Sequence, residues 1–142
     1  MAVQQPGGTR PLPQLTELDT AAFWRGTQTQ EFRYQQCTNC DTVVWFPRRH
    51  CTGCLEGQLQ WRVSAGQGSI YSFSIIRQSY HPFFRTQVPY VVAYVDLDEG
   101  PRFLTNVVGV DDPDTQVSIG MRVQLWWEQH DELSVPLVQP LR

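Results

Sequence analysis

The chain has 142 residues, 41% of them apolar and 18% charged, which suits one compact domain or two small ones and excludes a wholly disordered protein. The formal charge is −3 and all eleven basic residues are arginine, so there is neither the basic surplus of a general nucleic-acid binder nor a lysine for a Schiff base or P-loop. No apolar run approaches the roughly eighteen residues of a membrane span, and the N-terminus lacks a secretory layout. A cytoplasmic protein with no membrane and no nucleic-acid partner is expected.

Residues 1–13 hold three prolines and two glycines and read as a mobile tail. Over 14–30, Asp19 or Thr20 is placed to cap a short helix through Ala21, Ala22, Phe23 and Trp24 that ends near Gly26. Phe23 and Trp24 either anchor this helix on the domain or build a partner surface. From Glu31 the pattern turns β-like, with Phe32 and Tyr34 alternating with polar residues and Val43–Phe46 forming a short apolar strand before Pro47.

The segment 31–64 contains all four cysteines as Cys37-x2-Cys40, ten residues, then Cys51-x2-Cys54. Two such knuckles bring four thiolates onto one cation, which satisfies tetrahedral zinc and leaves no coordination position for chemistry. Iron fits the same ligands, and two disulfides would require an export signal. Arg48 and Arg49 are expected to offset the negative charge of the thiolates, and His50 is not needed as a ligand.

Beyond residue 65 come five strand candidates: Ser69–Arg77, Tyr90–Leu97, Arg102–Val108, Met121–Trp127 and Ser134–Val138. Asp98-Glu99-Gly100-Pro101 is turn chemistry joining the second to the third. Five strands with no long helix between them predict a small OB-type barrel over 65–142, since closure removes exposed strand edges. The fold is therefore expected to be mainly β: a short N-terminal helix, a rubredoxin-like zinc ribbon and the barrel.

No GxSxG elbow and no uncommitted cysteine supplies a nucleophile, and the histidines His50, His81 and His130 have no visible triad partners. Asp96, Asp98 and Glu99, like Asp111, Asp112 and Asp114, read as solvated loop carboxylates. What stands out is Tyr80-His81-Pro82-Phe83-Phe84, an aromatic loop that either folds back on the barrel or forms a contact surface. Trp126, on the outward parity of its strand, is a second candidate for a covered surface.

The order of these pieces resembles a family, the zinc-ribbon and OB-fold proteins known as domain of unknown function thirty-five. The matching residues are Phe23-Trp24, the four cysteines with Phe46-Pro47-Arg48, and Gly66-x-Gly68-Ser69-Ile70-Tyr71-Ser72-Phe73. They continue with Pro89–Ala93, Leu97–Arg102, Asn106-Val107-x-Gly109 and Ile119-Gly120-Met121-x-Val123. Asp41 stands where the family usually has glycine, and aspartate tolerates the left-handed backbone a knuckle needs. The resemblance implies a subunit that is not catalytic alone, associated with a thiolase-like enzyme of the sterol-carrier type and in some cases with a MaoC-type hydratase. The complexes it implies are carbon–carbon lyases (aldolases), including those of steroid side-chain degradation, or acyltransferases. Structural zinc and an acyl-CoA ligand of the complex are implied with them. Contact with acyl-CoA or the partner is expected of Phe23, Trp24, Arg77, Tyr80, His81, Phe83 and Phe84. Arg85 and Arg102 are further phosphate candidates, structural pairing being the other reading for each arginine. The rival class is a stand-alone nucleic-acid-binding module, since ribbons and OB barrels also do that work.

Overall fold

The computed structural model describes residues 10–142. The tail expected at 1–13 falls for residues 1–9 outside the described residues; 11–13 run as exposed coil, while Arg10 is half-buried and tied to the barrel.

Helix α1 covers Ala21–Thr27. Thr20 is its N-cap residue but makes no side-chain cap, and Asp19 instead pairs with Arg49 at 2.9 Å. The helix is fixed by its buried face: Phe23 is 3% exposed, and Thr27 accepts a hydrogen bond from Ser134 N–H at 3.1 Å. Gly26 leaves room for Arg33, whose side chain would collide with any Cβ there as it reaches the Ala22 carbonyl.

The ribbon is a three-stranded antiparallel sheet in the order β2-β1-β3, from β1 Arg33–Cys37, β2 Val43–Val44 and β3 Leu59–Val63. Strand β2 stops earlier than the apolar run suggests, because Trp45 turns into the joint between ribbon and barrel and Phe46 into a groove.

The barrel is closed in the order β4-β5-β6-β8-β7, from β4 Gln67–Ile76, β5 Tyr90–Leu97, β6 Arg102–Val107, β7 Arg122–Gln129 and β8 Ser134–Pro140. Every pairing is antiparallel except β6 with β8, which meet in parallel at Val107 and Val138. Two short helices lie on the connections: α2 Pro82–Arg85 between β4 and β5, and α3 Pro113–Gln116 between β6 and β7. Among the described residues, no helix is long and apolar enough to cross a membrane.

Ile70, Val91, Ala93, Val95, Leu97, Val123 and Val138 fill the core from alternate positions, as strand periodicity requires. In β4 a bulge at Tyr71, between pairs Ile70↔Val95 and Ser72↔Tyr94, shifts the inward face from even to odd residues. Ile70 and then Phe73 and Ile75 can thus all pack on one core, with Tyr71 outside. Ribbon, helix and barrel share an aromatic joint: Phe32 lies 5.2 Å from Phe23, 5.1 Å from Trp45 and 4.8 Å from Phe103 between ring centres.

Candidate functional site

The four cysteine sulfurs lie within 4.8 Å of one another, and none is in a disulfide. Two of their separations are 3.8 Å (Cys37 to Cys54) and 3.5 Å (Cys40 to Cys51). A ZnS4 tetrahedron with bonds of about 2.3 Å has edges of about 3.8 Å, so these two separations are close to those of a tetrahedral zinc site. The knuckles are built alike. Asn39 and Cys40 N–H donate to Cys37 Sγ, and Gly53 and Cys54 N–H to Cys51 Sγ, at 3.3 to 3.5 Å.

Each knuckle leaves its second cysteine through a left-handed residue, Asp41 at φ 62° and Leu55 at φ 66°. Aspartate adopts this conformation readily, as expected; leucine is the less suited occupant. The donors also prepare the charge. Asn39 Nδ2, then the Glu56 and Gly57 amides, lower the Cys54 thiol to about 6. The amide of Cys40 acts the same way on Cys37, but burial and the adjacent sulfurs push that thiol up to about 11. A divalent cation removes this conflict by stabilising all four thiolates, which is the structural chemistry such an ion supplies.

Neither Arg48 nor Arg49 is hydrogen-bonded to a cysteine sulfur among the described residues. Arg49 joins the ribbon to the start of α1 through Asp19, and Arg48 lines a groove where α1, the ribbon and the barrel meet. This groove has a volume of about 620 Å³. Its walls are Phe23 and Trp24 from α1, Trp45 and Phe46 from the ribbon, and Tyr94, Leu104 and Leu137 from the barrel, with Arg10, Arg48 and Arg102 as its charged residues beside the uncharged Thr105 and Asn106.

Of the expected contact residues, Phe23 and Trp24 are in the groove wall. Phe83 and Phe84 are reached through Arg10, whose guanidinium stands 5.0 and 5.5 Å from their ring centres and pairs with Glu128 at 2.7 Å. Phe83 is buried, so this part of the aromatic loop folds back on the barrel, while Tyr80 is 82% exposed. His81 caps α2, its Nδ1 accepting from Phe83 N–H at 3.1 Å. Arg77 pairs with Asp114 at 2.6 Å, and Arg102 with Asp96 at 2.6 Å while stacking on Tyr71. Arg85 donates to the Tyr80 carbonyl. Asp98 is likewise held, by both terminal nitrogens of Arg122. Asp98, Asp111, Asp112 and Asp114 are exposed, as read, and several of these acids are also hydrogen-bonded: Asp112 caps α3, and Glu99 accepts from Ser64 Oγ and Ala65 N–H, both at 2.7 Å, where ribbon passes into barrel.

Family models agree with both halves. Residues 24–60 match the model described as the ChsH2 rubredoxin-like zinc ribbon domain, and residues 61–128 match the ChsH2 C-terminal OB-fold domain. A DUF35 domain-containing scaffold protein of Methanothermobacter thermautotrophicus is 33% identical over 109 residues, 75% of this chain and 80% of the relative. A solved chain of an Ltp2-ChsH2(DUF35) aldolase is 35% identical, with a TM-score of 0.79 over 92% of this chain and 98% of that one. This chain belongs to the DUF35 family.

Two further relatives are longer. A probable enoyl-CoA hydratase alpha subunit of Thermomonospora curvata is 36% identical over 140 residues, 96% of this chain but 42% of the relative. The 3-oxo-4,17-pregnadiene-20-carboxyl-CoA hydratase alpha subunit of Mycobacterium tuberculosis is 30% identical over 128 residues, 86% of this chain and 38% of its own length. The chain therefore spans about two fifths of the hydratase subunits it matches.

Proposed function

We propose that this DUF35 chain is a non-catalytic subunit of a thiolase-like acyl-CoA complex, a carbon–carbon lyase or acyltransferase, acting in the cytoplasm on steroid side-chain or related acyl-CoA substrates. The observation that carries the reading is the near full-length likeness to a chain of an Ltp2-ChsH2(DUF35) aldolase. The hydratase alpha subunits among the relatives favour acyl-CoA chemistry and make a hydratase a second candidate partner. The zinc ribbon acts as a rigid brace for the groove wall, since four thiolates fill the metal's coordination. Asp96, Asp98 and Asp114, each engaged by an arginine, suit structural pairing better than acid–base work. The groove, apolar along much of its wall and carrying arginine as its only charged residue type, complements an acyl chain with an anionic carrier.

The test is to tag the chain, purify it from its source organism and identify by mass spectrometry what accompanies it. A stoichiometric thiolase-like protein is expected. Recovery with RNA, or with no partner, would contradict the subunit reading.

A further inference from the structure

The groove is lined by three arginines and by no carboxylate, in a chain whose net charge is −3. Arg10 is engaged by Glu128 and Arg102 by Asp96. The Arg48 guanidinium has no hydrogen-bond or ion-pair partner among the described residues, although the Arg48 backbone is held at both its N–H and its carbonyl. Gln35, 5% exposed, clamps it from both sides: its Nε2 donates to the Arg48 carbonyl at 2.8 Å and its Oε1 accepts from Arg48 N–H at 2.7 Å. A buried amide satisfied in this way fixes the backbone it grips, because losing either bond strands a polar group. Gln35 stands two residues before Cys37 and Arg48 three before Cys51, so the clamp ties together the segments entering the two metal knuckles.

We propose that Arg48 is the specificity-determining residue of the groove, selecting ligands in which an apolar body carries a phosphate or carboxylate, and that Gln35 is its positioning residue. The proposal rests on the acyl-CoA reading above and deepens it by naming the group that reads the anion. A guanidinium presents a planar fork that matches two oxygens of either anion, and Arg48 lines the same groove as the apolar side chains of Trp24 and Phe46. Phosphate of a thioester carrier and carboxylate of a free acid share this chemistry.

Isothermal titration of the zinc-loaded full chain with octanoyl-CoA, octanoate and octan-1-ol separates the cases. Arg48→Gln is expected to weaken the anionic ligand about tenfold and leave octanol unchanged. Loss confined to octanoyl-CoA identifies the phosphate as the group read, and equal loss for octanoate identifies any terminal anion. Gln35→Met is expected to reproduce the same charge-selective loss with zinc content unchanged, whereas a merely structural glutamine would weaken all three ligands alike. Arg48→Lys should restore part of the affinity. Unchanged octanoyl-CoA binding in Arg48→Gln, equal losses for octanol and octanoyl-CoA, or no binding of octanoyl-CoA by the wild-type chain would overturn the assignment. Unchanged binding in Arg48→Gln leaves the subunit reading intact. Failure of a partner to co-purify removes that reading while leaving Arg48-dependent binding by the chain alone in place.

Discussion

Gly57 has no side chain because Cys37 Sγ occupies the place where its Cβ would be. Its own N–H donates to Cys54 Sγ at 3.3 Å, so it serves one sulfur with its backbone and makes room for another. Gly57→Ala should therefore drive Cys37 off the metal, and elemental analysis should find clearly less than one zinc per chain. Asp98 shows a different kind of residue-level control. Hydrogen bonds from Arg122 outweigh desolvation and hold its carboxyl below the ordinary carboxylate range. A carboxyl depressed in the folded state stabilises it above the unfolded pKa, and that contribution is lost as pH falls through the folded value. Asp98→Asn should thus lower the melting temperature at neutral pH, with the gap to wild type closing between about pH 5 and pH 2. Both groups are half-exposed, so the neutral-pH gap should be small.

At the scale of elements, the most informative position is Phe32, placed between β-ribbon, α1 and barrel and 1% exposed. Phe32→Ala empties the centre of the joint and should cost about 3–5 kcal/mol in denaturant unfolding. A loss below about 1 kcal/mol would mean that the two halves do not depend on a shared core. The elements themselves were largely legible: β5 runs from Tyr90 to Leu97 as alternation predicts, and paired cysteine spacing located the metal cluster. The Tyr71 bulge in β4 was not legible, because an extra residue shows only against its partner strand. Phe46 continued an apolar run and read as strand, whereas tertiary packing turns it into the groove. Side-chain pairs distant in sequence left no periodic signal: Gln35 with Arg48, Ser64 with Glu99 and Arg10 with Glu128. Hence the cysteine site followed from spacing, while the groove required the folded chain.

The whole molecule joins a metal-braced ribbon to a closed barrel, with the groove along the seam. Zinc binding is folding free energy for a ribbon of this kind. A chelator should accordingly shift tryptophan fluorescence to longer wavelength as Trp45 and Trp24 lose their packing, and amide protection should fall in β1–β3. Protection in β5 and β6, paired within the barrel, should persist. Uniform loss across ribbon and barrel would instead show one cooperative unit.

In the proposed role this chain completes an enzyme whose catalytic groups lie in a thiolase-like partner. The most direct test of that role is reconstitution, with carbon–carbon bond cleavage or formation on an acyl-CoA substrate assayed for the chain alone, the co-purified partner alone and the two together. No turnover by the chain alone is expected, and the partner's activity should rise or first appear when the chain is added. Turnover by the isolated chain at enzyme-like rates, or a partner equally active without it, would rule out the subunit role.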